Sequence, residues 1–236
     1  MKKTILFDLD GTLLPMDAQK FEEAYIGSLT NYTKNIINPK EMGMKLWRAT
    51  GIMIKSDDKS MTNEQTFYSE FEKLLDSSTY NKILEVIDSY YDNDFDVAKT
   101  ATGFHKDMPK VVRYLKDKGY RVILATNPML PRTATDKRIS WAGLNVDDFD
   151  HVTRFEEYVH CKPNPLYYED IISKFDLDPS ECVMVGNDAQ EDMMTKQFGF
   201  ETWLLTDDLI DRGQEYHADW IGTRDDLLEK IMEVFK

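Results

Sequence analysis

Cysteine, histidine and long apolar runs are all scarce in this chain. Its 236 residues include two cysteines, Cys161 and Cys182, and four histidines. The cysteines lack C-x-x-C spacing and the histidines lack H-x-x-x-H spacing, so we expect reduced core thiols and assign the histidines no role. After two N-terminal lysines, the apolar stretch at residues 5–7 is too short for a signal peptide, and no run approaches the length of a membrane span. The sequence therefore predicts a cytoplasmic protein.

Basic residues are also outnumbered. The chain carries 29 lysines and arginines against 43 acidic residues, giving a net charge of −14. This balance argues against nucleic acid and anionic membranes as partners, because both are bound through basic patches. A small phosphorylated substrate remains compatible, provided that local cations overcome the overall field. With 42% hydrophobic residues, the chain can form a packed core, and its length allows one domain with a large insertion or two small ones.

What the chain does have is an apolar strand that ends in two acids. Residues 4–12 read T-I-L-F-D-L-D-G-T. Side chains two apart on a strand point to the same side, so Asp8 and Asp10 should approach one spot, and Gly11 permits a sharp turn after them. Two close carboxylates repel each other unless a cation or a proton lies between them, and a hard divalent cation, Mg2+ first, suits such oxygen ligands.

The segment D-L-D-G-T at residues 8–12 resembles motif I of the haloacid dehalogenase superfamily, whose members are mostly Mg2+-dependent phosphatases and phosphotransferases. The resemblance implies that Asp8 attacks phosphorus and that Asp10 acts as the acid and base. It also implies that Mg2+ is held by the Asp8 carboxylate, the Asp10 backbone carbonyl and Asp188. Asp10 speaks against a dehalogenase, because superfamily members that cleave carbon–halogen bonds lack this second acid.

Two further segments match the superfamily pattern on the phosphate side. Thr126 directly follows the apolar residues 122–125, as the hydroxyl residue of motif II does, and Asn127 could add another hydrogen-bond donor. Lys162, in C-K-P-N-P, matches the lysine of motif III. A cation is needed there because a phosphate dianion beside an aspartate requires compensation beyond one Mg2+. We therefore predict that Thr126, Asn127 and Lys162 bind phosphate.

The segment G-N-D-A-Q-E-D at residues 186–192 resembles motif IV, with Asn187 placed before the first acid. Asp188 is the predicted direct metal ligand, and Asp192 is predicted to orient bound waters or Lys162. The two acids could share a helix face or flank a strand-to-helix turn. The additional Asn187 leaves open which acid contacts the metal, and Glu191 is the alternative to Asp192.

Strands and helices alternate from residue 106 onward. With the opening strand, segments near 121–125, 151–155, 181–185 and 201–205 predict at least five parallel strands with helices on both faces, an α/β Rossmann-like fold. Residues 16–105 instead predict four helices and no strand, the third capped by Thr62 with Gln65. We therefore expect a core of residues 1–15 and 106–236, and an inserted helical domain of residues 16–105. The resemblance identifies this insert as a cap, and two short tethers permit a hinge motion.

The leading hypothesis is a Mg2+-dependent phosphatase for a small phosphorylated metabolite, a sugar phosphate or a nucleotide monophosphate. A phosphomutase could use the same aspartyl-phosphate, and a phospho-ligand-binding protein with little turnover is the third hypothesis. In the insert, Lys45, Trp47, Arg48 and Lys55 could contact the substrate, although basic residues on a helix face are most often solvated. The sequence gives no indication of oligomeric state.

Overall fold

A parallel sheet of six strands forms the centre of the protein in this computed structural model, which describes residues 2–236. The strands are β1 (Thr4–Phe7), β2 (Arg121–Leu124), β3 (His151–Val152), β4 (Cys182–Gly186), β5 (Glu201–Leu205) and β6 (Trp220–Gly222). They lie in the order β3-β2-β1-β4-β5-β6. Strands β2 and β3 therefore lie on one side of β1, and the later strands β4, β5 and β6 lie on its other side. The strand order reverses beside β1.

Eight α-helices accompany the sheet within residues 2–236. Four lie between β1 and β2 in the chain, namely α1 (Ala18–Tyr32), α2 (Pro39–Ile54), α3 (Asn63–Glu72) and α4 (Ser77–Asn93). The other four are α5 (Met108–Asp117), α6 (Arg132–Trp141), α7 (Pro165–Phe175) and α8 (Arg224–Val234). The predicted α/β fold with an all-helical segment after the first strand is confirmed.

The central strand is buried on both faces. Ile5 and Phe7 pack into the larger apolar cluster, whereas Leu6 points to the opposite face and joins a second cluster. This alternation follows from the period of two along a strand. A parallel sheet covered by helices on both faces requires such a continuous apolar run, which is why the sequence identified β1 so readily.

Two parts of the sheet differ from the prediction. The third strand ends at Val152, before the predicted 155, and the hydroxyl of the next residue, Thr153, donates to the Thr126 carbonyl at 2.6 Å. The sixth strand, β6, was not predicted. It has three residues at the sheet edge, and its central Ile221 is 55% exposed, so its sequence carries no buried apolar run that would mark a strand.

The inserted helices begin and end close to each other. The Gly103 N–H donates to the Pro15 carbonyl at 2.8 Å, and the Asp17 N–H donates to the Ala101 carbonyl at 3.0 Å. The two chain crossings therefore lie side by side. The capping box predicted at α3 is confirmed, with the Gln65 N–H donating to the Thr62 hydroxyl and the Thr62 N–H donating to the Gln65 side chain. The domain boundaries at residues 15 and 105 stay a prediction.

Two further expectations concern the cysteines and membrane-spanning helices. Both cysteines, Cys161 and Cys182, are buried and free, as predicted. Among residues 2–236, no helix has both the length and the apolar character that crossing a membrane requires.

Candidate active site

A buried lysine joins two carboxylates at the carboxyl ends of β1 and β4. Asp8 follows β1 directly, and its N–H donates to the Val185 carbonyl of β4 at 2.9 Å. Lys162 Nζ lies 2.9 Å from Asp8 Oδ1 and 2.7 Å from Asp192 Oδ1. The residues Asp8, Lys162 and Asp192 are all buried. They lie where the strand order reverses, which is where open α/β sheets bind ligands.

The electrostatics keep this lysine charged. Burial alone would lower the pKa of Lys162, but the carboxylates of Asp192 and Asp8 outweigh that effect and hold the pKa well above its usual value. Burial raises the pKa of Asp192, while Lys162 opposes the shift. Lys162 is thus a fixed positive charge beside the Asp8 carboxylate, the position from which it could attract a phosphoryl group.

Gly186, the last residue of β4, makes room for Asp192. A Cβ atom on Gly186 would lie 2.0 Å from Asp192 Oδ2, so a larger residue would displace the carboxylate. The same oxygen accepts the Asp188 N–H at 3.1 Å. Asp188 and Asp192 therefore flank a turn between β4 and a short 3-10 helix, Met193–Phe198, which corresponds to the turn alternative of the sequence analysis.

Asp10 is held by an arginine that the sequence analysis missed. Arg138 of α6 is buried and forms an ion pair with Asp10 Oδ2. The other oxygen, Asp10 Oδ1, is buried and has no hydrogen-bond partner within residues 2–236. Burial raises the pKa of Asp10, while Arg138 works against that shift. A carboxyl group with a raised pKa and an unused oxygen is suited to exchanging protons.

The sequence did contain a signal for Arg138. The buried residues Ala134, Thr135 and Ile139 define the inner stripe of α6, and Arg138 falls on that stripe, four residues after Ala134. A charged residue at an apolar-stripe position is almost never buried without a partner. The helix pattern could have indicated a buried arginine, although it could not have identified Asp10 as the partner.

The turn after Asp10 is fixed by Asn187. Gly11 has φ +82°, and a Cβ atom there would lie 2.2 Å from Asn187 Nδ2. Thr12 donates its hydroxyl to Asn187 Oδ1 at 2.9 Å, and Asn187 Nδ2 donates to the Asp208 carbonyl at 2.7 Å. Asn187, the unusual residue before Asp188, therefore ties three loops together.

Thr126 and Asn127 lie beside the lysine at the end of β2. Thr126 is buried, and its hydroxyl makes no hydrogen bond to any residue in the range 2–236. Asn127 Oδ1 accepts the Lys162 N–H and Asn127 Nδ2 donates to the Lys162 carbonyl, both at 3.2 Å. The hydroxyl is available to a ligand, whereas the amide holds the Lys162 backbone in place.

The Asp188 carboxylate pairs with Arg212, which was not among the predicted site residues. Arg212 Nη1 lies 2.8 Å from each Asp188 oxygen. The N–H groups of Gln190 and Glu191 also donate to Asp188 Oδ1, at 3.0 and 2.9 Å. The Arg212 side chain is 47% exposed, so it can move away from the carboxylate without disturbing the core.

The predicted metal ligands can be compared with the potential ligand side chains that lie close together. Within residues 2–236, one histidine and two aspartates, His105, Asp107 and Asp225, present ligand atoms within 4.8 Å of one another. This set contains neither Asp8 nor Asp188. The oxygens around the lysine nevertheless suit a divalent cation. Asp8 Oδ2 receives only a 3.4 Å contact from Thr12, and carboxylate and carbonyl oxygens are the ligands that Mg2+ prefers.

A cavity of about 310 Å3 opens beside Asp10, Asn127 and Arg138 and extends between the inserted helices. Of the four residues of the insert that the sequence offers as substrate contacts, Trp47 lines this cavity, whereas Lys45, Arg48 and Lys55 do not. Lys45 instead pairs with Glu41 and donates to the Leu74 carbonyl. A contact between these cations and a substrate stays a prediction.

Comparison with known proteins places the chain among hydrolases. The family model described as haloacid dehalogenase-like hydrolase matches residues 2–199. The pyrophosphatase PpaX of Bacillus cereus is 24% identical over 206 residues, covering 86% of this chain and 84% of that protein.

Solved structures show a similar fold over 97–99% of the chain. A haloacid dehalogenase phosphatase from Thermococcus onnurineus has a TM-score of 0.58 at 22% identity and covers 98% of both chains. A predicted phosphoglycolate phosphatase from Haemophilus somnus has a TM-score of 0.59 at 17% identity and covers 97% of both. The L-2-haloacid dehalogenase from Xanthobacter autotrophicus has a TM-score of 0.59 at 16% identity and covers 99% of this chain and 100% of its own.

Proposed function

Because this chain belongs to the haloacid dehalogenase-like hydrolase family, we propose that it is a Mg2+-dependent phosphatase that hydrolyses a small phosphate monoester. The observation that carries the proposal is the buried Lys162 between Asp8 and Asp192, with the Asp10 carboxyl close by. This arrangement offers a nucleophile, a fixed positive charge and a proton donor at one place. The similarity to a pyrophosphatase and to a predicted phosphoglycolate phosphatase agrees with phosphoryl chemistry.

Asp8 is the proposed nucleophile. Its carboxylate oxygen attacks phosphorus, the bond between phosphorus and the leaving oxygen breaks, and an aspartyl-phosphate results. Asp10 donates its proton to the leaving oxygen, a role that its raised pKa supports. The resulting carboxylate then accepts a proton from the water that hydrolyses the intermediate, which returns Asp8 to its free form.

The phosphoryl oxygens are proposed to be bound by Lys162, the Thr126 hydroxyl and the backbone N–H groups that follow Asp8. Asp192 Oδ1 accepts a hydrogen bond from Lys162 Nζ at 2.7 Å and thereby orients the lysine. Asn127 is better suited to positioning Lys162 than to contacting phosphate, because both ends of its amide already bond to the Lys162 backbone. This differs from its predicted direct contact with phosphate.

Mg2+ is proposed to be held by the Asp8 carboxylate, the Asp10 carbonyl and Asp188. When bound, the ion neutralises negative charge around the phosphoryl group. Because Arg212 occupies both oxygens of Asp188, this exposed side chain must release the carboxylate when the ion binds.

Phosphate release from a panel of monoesters, with Mg2+ and with a chelator, tests the proposal. We expect release that requires Mg2+, a loss of at least about 1,000-fold in Asp8→Asn and a loss of about 100-fold or more in Asp10→Asn. Asp117→Asn, on an exposed face, is the matched control and should keep full activity. Release that persists in Asp8→Asn would contradict the proposal.

A phosphomutase would use the same aspartyl-phosphate and differs in where the phosphoryl group goes. Incubation with a bisphosphate separates the two reactions, because a mutase forms an isomer without free phosphate. Hydrolysis is the leading proposal, because the matching family model describes hydrolases and the relatives are named pyrophosphatase and phosphoglycolate phosphatase.

A further inference from the structure

The walls of the cavity beside Asp10 are mainly apolar. They come from all four inserted helices and include the aromatic rings Phe21, Phe67 and Phe71 and the aliphatic side chains Leu46 and Ile83. Asp10, the proposed acid, is part of the lining, so a group bound in the cavity lies beside the residue that protonates the leaving oxygen. A space of this kind binds apolar surface, since burying it removes it from water.

The charged groups of the cavity offer little to an anionic leaving group. Within residues 2–236, the charged residues in the lining are Asp10, Glu22 and Arg138. Arg138 is already engaged, because it pairs with Asp10 and donates to the Thr135 hydroxyl at 3.2 Å. A second phosphate or carboxylate placed here would lose its hydration without gaining a free cation, which is costly.

Neutral polar groups in the lining are also few. The hydroxyls of Tyr25 and Tyr91 lie 2.7 Å apart and share one hydrogen bond. The Asn127 amide is bonded to the Lys162 backbone, and Trp47 contributes one indole N–H. Thr50 and Tyr68 supply the remaining hydroxyls in the lining, and burial raises the pKa of Tyr68, so it stays neutral. A sugar carries several hydroxyl groups that need partners when they leave water, and this cavity would leave most of them unpaired.

The volume sets the size of the group that fits. An engineered protein cavity of about 150 Å3 binds benzene, and the present cavity of about 310 Å3 is roughly twice as large. It therefore has room for a group of about two rings or an alkyl chain of similar bulk.

We infer that the leaving group of the substrate is apolar. The enzyme takes the phosphate monoester of an aromatic or medium-chain aliphatic alcohol, with the phosphoryl group at Asp8 and the apolar group between the inserted helices. The inference rests on the proposed phosphatase function and departs from the sugar phosphate and nucleotide monophosphate expected from the sequence.

A series of linear alkyl phosphates from ethyl to octyl tests the inference. Each buried methylene contributes about 0.8 kcal/mol, so kcat/KM should rise about fourfold per methylene until the cavity is filled. Naphthyl phosphate should exceed glycerol 3-phosphate, glucose 6-phosphate and pyrophosphate by at least about 100-fold. A flat series, or a preference for the polar substrates, would overturn the inference.

Two variants of α2 with the same change of charge separate the cavity from general electrostatics. Thr50 lines the cavity, whereas Met44 is 58% exposed and does not. Thr50→Arg should lower kcat/KM for octyl and naphthyl phosphate at least about tenfold and leave pyrophosphate unaffected or improved. Met44→Arg should leave all substrates within about twofold of the wild type. Equal effects of the two variants would count against the apolar site.

Binding of alkylphosphonates, which lack the cleavable ester bond, distinguishes failure of the inference from failure of the proposed function. The inference predicts that their affinity for the wild-type protein rises with chain length and that binding has a negative heat-capacity change, measured by calorimetry. Such a rise without phosphate release from any ester would refute the phosphatase and leave the apolar site standing. Phosphate release without any dependence on chain length, in turnover and in binding, would refute the apolar site alone.

Discussion

At the scale of single residues, the site depends on a buried cation shared by two acids. Lys162 is enclosed together with Asp8 and Asp192. Removing one member of a buried ion pair leaves an uncompensated charge, which typically costs about 3–5 kcal/mol. Lys162 is therefore expected to matter for stability as well as for the reaction.

Replacing this lysine gives the first prediction. Lys162→Met should lower the free energy of unfolding by about 3–5 kcal/mol at pH 8, measured by urea denaturation. The loss should be smaller at pH 5. Without the lysine, burial raises the pKa of Asp192 further, and a group with a raised folded-state pKa stabilises the fold at low pH and loses that contribution as pH rises. The exposed Lys82→Met should change stability by less than about 0.5 kcal/mol. A pH-independent loss would contradict this account.

Arg138 gives a second prediction, on pH dependence. Burial raises the pKa of Asp10 and Arg138 lowers it, so Arg138→Met should raise that pKa further. If protonated Asp10 is the acid, activity falls as pH rises through its pKa, and the variant should lose activity at a higher pH than the wild type. Arg138→Lys, which keeps the charge, should shift the profile less. If the pH profile of kcat/KM stays where it is in the wild type, or moves to lower pH, Arg138 does not have this role.

The residues predicted from motifs and those missed differ in a simple way. Asp8, Thr126 and Asp188 follow the ends of strands, and local sequence identifies such positions because buried apolar runs mark the strands. Arg138 and Arg212 reach the site from a helix and a loop that are distant in sequence. Their partners are set by tertiary packing, which no local pattern encodes.

At the scale of secondary-structure elements, the first turn of α3 docks onto loops beside the candidate active site. The Asn63 N–H donates to the Tyr158 carbonyl at 2.7 Å, and Asn63 Nδ2 donates to the carbonyls of Pro128 and His160 at 3.2 and 3.3 Å. The start of α3 thus holds the inserted helices to the sheet domain, in addition to their two chain crossings. Any hinge motion over the cavity has to break these hydrogen bonds.

Asn63→Ala tests this docking. The variant loses two side-chain hydrogen bonds at a buried position, so the free energy of unfolding should fall by about 1–3 kcal/mol. We also expect KM to rise more than kcat falls, because the cavity opens more readily. Asn81→Ala, on the exposed face of α4, should leave both stability and KM nearly unchanged. Comparable effects of the two variants would show that Asn63 does not hold the insert.

A strand or helix could be predicted from the sequence where its buried positions carry a recognisable pattern of apolar or capping residues. The capping box at Thr62 and Gln65 gave the start of α3. The edge strand β6 was missed because its pairing with β5 depends on a neighbour rather than on its own apolar residues.

At the scale of the whole molecule, a net charge of −14 surrounds a site proposed to bind an anion. The overall field should repel the substrate, and salt screens charges separated by more than about 10 Å at 0.1 M. We therefore predict that kcat/KM for a phosphate monoester rises as ionic strength increases from about 0.01 to 0.2 M at constant Mg2+. A steep fall would indicate instead that the local cations dominate the approach of the substrate.

The sheet order explains why the site lies where it does. Because the strand order reverses beside β1, the loops after β1 and β4 diverge to opposite faces and leave a crevice at their carboxyl ends. Asp8 and Asp192 reach this crevice from the two sides. The alternation of strands and helices predicted the parallel sheet, but the position of β4 next to β1 could not be read from it.

The most direct test of the central claim is detection of a covalent phosphate on Asp8. The enzyme is quenched with acid during turnover and treated with borohydride, which reduces an aspartyl-phosphate to homoserine, and the modified residue is located by mass spectrometry. The account predicts homoserine at position 8, dependent on substrate and absent from Asp8→Asn. Phosphate release without modification at residue 8, or modification at another carboxylate such as Asp188, would contradict it.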